Sequence, residues 1–124
     1  MVAALRSIAG SEGAALVHCA AGKDRTGVVV ALALTVAGVP AGAVVADYAA
    51  TGERTEAIMA RLRRSRLYAP DTDRRPAPLP PLRPETMTAF LEQMDARFGG
   101  VSSWLTDHGF SAADHDALRV KLRA

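Results

Sequence analysis

One cysteine and two lysines stand in a chain of 124 residues, and each scarcity narrows what the protein can be. A single Cys19 excludes an internal disulfide and any cysteine-rich metal site. Basic side chains are almost all arginine, with only Lys23 and Lys121 as lysines, and the net charge is just +2. That balance is too small to argue for nucleic acid as a partner. No charged segment followed by an apolar core and a cleavage site opens the chain, so a signal peptide is not read and a cytoplasmic location is the default expectation. No internal repeat is found.

What is present describes a folded domain. The chain is 49% hydrophobic and 23% charged, unlike a disordered or collagen-like sequence. Its length suits one domain that buries roughly two-thirds of its unfolded surface. Residues 28–46 carry no charge, a run long enough for a membrane span. Gly38, Pro40 and Gly42 interrupt it, however, so two buried helices are expected and no stable membrane insertion.

The spacing of apolar residues predicts helices over Met1 to Gly10, Arg25 to Ala37, Pro40 to Ala50, Glu53 to Arg66 and Pro84 to Phe98. Gly99-Gly100 should end the last of these. A short helix then carries Trp104 and Leu105, and a final one starts at Ser111, where Ser111 and Asp114 make a capping-box-like pair. Ala14 to Cys19 reads as one buried strand. Residues 67–84 hold six of the seven prolines and read as an extended connection. About six helices and one strand result, and the strand has no partner in the sequence to take its backbone hydrogen bonds.

The chemistry concentrates in "LVHCAAGKDRTGVVVALAL", where His18, Cys19, Lys23, Asp24 and Arg25 lie between two apolar runs. A strand that enters a tight loop and then a helix gathers backbone N–H groups and a helix N-terminus at one point. Such a point attracts anions, phosphate above all. A cysteine at the end of the strand is aimed into that positive field, which favours thiolate over thiol. Arg25 returns from the first helical turn with a planar fork matched to two phosphate oxygens. Thr26 can donate to the sulfur when it leaves, and Gly22 and Gly27 allow close backbone approach. Cys-x5-Arg-Thr-Gly therefore describes phosphoryl transfer to sulfur followed by hydrolysis. The glycines and Lys23 do not form a nucleotide-binding Walker loop, because Val17 and Asp24 stand where glycine and a hydroxyl are required.

At these residues the chain resembles cysteine-dependent protein tyrosine phosphatases. "HCAAGKDRTG" is similar to the signature of the bacterial tyrosine/serine protein phosphatase family, and "GVPAGAVVADYAATGE" resembles the stretch that follows that loop. The resemblance implies an α/β, protein-tyrosine-phosphatase-like fold, mostly its helical C-terminal half with one central strand leading into the phosphate-binding loop. Cys19 is the implied nucleophile. Ala20, Ala21, Gly22, Lys23, Asp24, Arg25, Thr26 and Gly27 form the implied phosphate-binding loop, with Lys23 as positive charge at its rim. For Asp24 the resemblance suggests a general acid, against a plain N-cap or first-turn acid. For His18 it suggests a residue that orients the loop, against a satisfied core histidine. The substrate class is a phosphorylated protein or small phosphomonoester, and neither a metal nor a cofactor is implied.

Family members are implied to be roughly twice as long, and an Arg-Asp-Leu-Gly-Gly segment expected near such a site does not occur here. Residues 1–124 are thus expected to be a partial phosphatase domain. They could be an active phosphatase, or a non-catalytic fragment that binds a partner, self-associates or pairs with an N-terminal half. Arg61, Arg63, Arg64 and Arg66 form a basic cluster. It reads as a solvated face suited to a helix C-terminus or, more sharply, as a docking surface for a phosphoinositide headgroup or acidic peptide.

Overall fold

In the computed structural model, which describes residues 1–74 and 81–123, the apolar spacing of the sequence becomes helices arranged around one of their number. That helix is α2 (Asp24–Val36), which follows α1 (Val2–Gly10). Val29, Ala31, Leu32, Ala33 and Val36 of α2 are all buried, so it is apolar on nearly every side. It packs against α1, α3 (Ala41–Ala50), α7 (Val101–Asp107) and α8 (Ala112–Arg123). The uncharged run is broken where expected: α2 ends, Gly38 takes φ +86, and Pro40 caps the start of α3. Among the described residues, no helix is long and apolar enough to cross a membrane.

Three expectations need correction. Residues 14–19 carry no strand; all regular structure among the described residues is helical. A strand exists only through ladder bonds to a neighbour, and among the described residues no backbone group of 14–18 finds a backbone partner. The segment is tethered from one side instead, where the Lys121 ammonium donates to the carbonyls of Ser11 (2.6 Å) and Gly13. Second, Thr51–Arg54 forms a 3-10 turn, so α4 covers Thr55–Arg64 and Arg66 lies beyond it. Third, the proline-rich connection is not wholly extended, since Ala69–Arg74 forms a short helix, α5. Residues 75–80 of that connection lie outside the described residues.

The C-terminal part follows the sequence closely. Pro84 occupies the first turn of α6 (Pro84–Phe98), and Gly99 ends it at φ +72, its N–H bonding to the Asp95 carbonyl. The capping box at α8 is formed: Ser111 N–H donates to Asp114 Oδ2 (2.8 Å) and Asp114 N–H to Ser111 Oγ (3.2 Å). Arg6 of α1 joins the same carboxylate at 3.0 Å, tying the first helix to the last. Leu5, Leu32, Leu105, Phe110 and Leu118 sit at 1% exposure or less. Burying each stabilises the domain by about 1.5–3 kcal/mol.

His115 is a buried titratable group of this core whose charge bears on stability near neutral pH. Its ring meets Phe110 edge-on, Nε2 lies 3.3 Å from Thr106 Oγ1, and buried Nδ1 has no hydrogen-bond partner. Burial, reinforced by the Arg119 charge and opposed by Asp114 and Asp116, holds the imidazole below its ordinary value of 6.5. As pH falls the unfolded chain protonates here before the folded one. The residue's contribution is therefore complete above pH 6.5 and is lost progressively below it. The melting temperature should fall from neutral pH to about 5, and less steeply in His115→Phe. Parallel slopes for the two proteins in calorimetry would refute this.

Candidate active site

Residues 20–23 are bends that carry the chain from the irregular segment 14–19 into the first turn of α2. Gly22 lies at φ +65, in the left-handed region where glycine is unstrained. This reversal turns the N–H groups of Gly22 and Lys23 toward the Cys19 sulfur, and the N–H and hydroxyl of Thr26 face it from the helix. Convergent N–H groups at a helix N-terminus form an anion-binding concavity.

The sulfur responds to that field. Burial pushes the Cys19 thiol up, but the Thr26 hydroxyl and the N–H groups of Thr26, Gly22 and Lys23 outweigh it. The pKa falls from 9.0 to about 7. About half of the thiol is then ionised at neutral pH, against about 1% at the ordinary value, a gain of roughly fifty-fold in nucleophile. The Thr26 hydroxyl is buried, and no group stands in full hydrogen-bond geometry to it. It is thus available to donate when the sulfur carries charge.

A cleft of about 370 Å³ opens over the sulfur. Val17, His18, Cys19 and Ala20 line it from the irregular segment and loop, Ala4 from α1, Arg25, Thr26 and Val29 from α2, and Tyr68 from beyond α4. His18 is exposed at this cleft and is no core histidine; that role belongs to His115. Asp24 is the first residue of α2, but Lys23 holds the N-cap position and no side chain caps the helix. The Asp24 carboxylate is exposed and in reach of solvent, 3.9 Å from the Lys23 ammonium. Lys23, expected at the rim, is instead buried at 8% exposure, its ammonium on Asp24. The short loop leaves its long side chain under the turn.

Gly27 has a different reason from Gly22. A Cβ there would lie 2.8 Å from Cε2 of Tyr48, so the absent side chain lets the α3 aromatic ring lie flush on the start of α2. Burial, and then the charge of Asp24, push the Tyr48 phenol up, placing that carboxylate in the same neighbourhood. Sequence reasoning missed Tyr48 and Tyr68. The Val44–Tyr48 spacing on α3 marked Tyr48 as inward-facing, whereas nothing around Tyr68 announces that the chain returns to the cleft. No cluster of three or more His, Cys, Asp or Glu suited to a metal occurs among the described residues.

The chain is 31% identical to the triple specificity protein phosphatase PtpB of Mycobacterium tuberculosis over 84% of its own length. It is 30% identical to a tyrosine-protein phosphatase of Nostoc commune over 94% of its length. It spans 42% of each of these relatives. No solved structure matches it significantly. The tyrosine phosphatase family matches residues 1–124, and the chain belongs to that family.

Proposed function

We propose that the chain is a cysteine-dependent phosphatase that hydrolyses phosphotyrosine monoesters through a phosphocysteine intermediate. One observation carries this: a half-ionised Cys19, ringed by N–H groups at a helix N-terminus, shares a cleft with Arg25. Apolar Ala4, Val17 and Val29 and the ring of Tyr68 suit an aryl ester. Phosphoserine, phosphothreonine and phosphoinositide monoesters are further candidates for the same chemistry, and the mycobacterial relative is named for triple specificity.

In this reading the N–H groups from Ala20 to Thr26 and the Arg25 fork hold the phosphoryl oxygens, while the Gly27 N–H is taken by the Lys23 carbonyl. The Cys19 thiolate bonds to phosphorus as the ester P–O bond breaks, and Asp24 gives its proton to the leaving oxygen. Water then attacks the phosphocysteine and returns a proton to Asp24. Inorganic phosphate departs, and the Thr26 hydroxyl receives the charge left on sulfur. Lys23 acts through Asp24, and His18 at the mouth of the cleft orients the loop.

A second reading has its own observation. The unpaired backbone of residues 14–18 borders an apolar groove of about 420 Å³ between α1, α2 and α8, and Leu16 beside it is 89% exposed. Such an edge is where a further strand adds. On this reading the described residues need β-structure from a second copy, or from a segment like those of the longer relatives, before turnover is efficient.

Cys19→Ser should lower hydrolysis of p-nitrophenyl phosphate on the order of a thousandfold or more while vanadate still binds. Turnover within tenfold of wild type would remove Cys19 as nucleophile. Thiolate absorbance should titrate with a midpoint of about 7, rising in Thr26→Val.

Asp24→Asn separates proton donation from helix electrostatics. It should slow esters with poor leaving groups far more than those with good ones, since only the former need the proton. An equal loss on both would leave Asp24 a purely electrostatic first-turn acid.

A further inference from the structure

Arg61, Arg63 and Arg64 occupy the last turn of α4, and Arg66 follows just beyond it. At about 100° per residue, the first three fan over the side opposite Ile58, Met59 and Leu62, which are turned partly inward. All four arginines are exposed, and none forms an ion pair among the described residues. The pull of a helix C-terminus on cations fades within its last turn, so it does not account for four guanidinium groups that repel one another.

Position gives the cluster its meaning. Two residues after Arg66, Tyr68 stands in the wall of the cleft over Cys19. Residues two apart are separated by at most about 7 Å, so the cationic surface begins at the rim of the cleft. We infer that this surface docks acidic residues flanking the phosphorylated residue of a protein substrate. The inference rests on the phosphatase reading only in that the cleft takes the phosphoryl group.

A peptide fits better than a membrane. Binding in the plane of a lipid surface needs a broad apolar face beside the cations, yet Ile58, Met59 and Leu62 of α4 turn partly inward and, among the described residues, Leu67 is the large apolar side chain that stands out nearby, at 77% exposure. An extended peptide advances about 3.3 Å per residue, which brings carboxylates two to four positions from the phosphoryl group over the arginines. Guanidinium forks then pair with them bidentately. Each exposed pair contributes little, but several together amount to about tenfold in affinity at low salt.

The test uses the Cys19→Ser chain and two labelled phosphotyrosyl peptides, one with acidic flanks and one with uncharged flanks, read by fluorescence anisotropy. The acidic peptide should bind about tenfold more tightly, with the difference nearly gone at about 0.5 M salt. It should also vanish when Arg61, Arg63, Arg64 and Arg66 are all changed to Gln, while the uncharged peptide binds as before. Equal affinities, or discrimination that survives the four substitutions, overturns the inference. So does arginine-dependent binding to phosphoinositide vesicles with no discrimination between peptides. Competition by vanadate checks the cleft separately: peptides that bind but are not displaced show the phosphatase reading wrong.

Discussion

The last carbonyls of α2 are held by the last helix of the chain. Arg119 Nε donates to the Val36 carbonyl at 3.1 Å and Arg123 Nε to the Ala37 carbonyl at 2.7 Å. Two positive charges therefore sit on the negative pole of the helix whose positive pole faces Cys19. Lys121, between them, holds the segment that leads into the loop. Thus α8 holds both the approach to the loop, through Lys121, and the helix that leaves it, through Arg119 and Arg123 on another face. The two guanidinium groups anchor the far end of the helix whose first turn faces the sulfur.

Within that frame the loop's own contribution is local. Gly22 supplies the reversed dihedral, Gly27 the space for Tyr48, and the N–H groups follow from the turn itself. This is why a site can be well formed beside a segment whose backbone is unpaired. What the surroundings add is selection at the mouth of the cleft, through Tyr68 and the apolar residues of α1 and α2. Loop and surroundings are independent enough that one can be altered without destroying the other.

Much of this was legible in the residues. Apolar residues three and four apart set the helices, Pro40 and Gly99 marked ends correctly, and Ser111 with Asp114 made the expected cap. Cys19, Arg25 and Thr26 share one cleft because their spacing is that of a single turn into a helix. The failures have a common cause. A strand at 14–19, the burial of Lys23 and the return of Tyr68 depend on what other parts of the chain do, and none leaves a local pattern. Hydrophobicity alone marked 14–19 as a buried strand, but apolar residues without a neighbouring strand neither form a ladder nor become buried: Leu16 is 89% exposed.

The lowered pKa of Cys19 also carries a liability. Thiolate is the form that peroxide attacks, and a sulfur that is half ionised at neutral pH oxidises to the sulfenic acid far faster than an ordinary cysteine. The 124 residues contain no second cysteine to trap that state as an internal disulfide. Rescue must come from an outside thiol or from capture by a backbone nitrogen, and without either the sulfur proceeds to the irreversible sulfinic acid. The field that favours the thiolate thus leaves its survival to the reducing power of its surroundings.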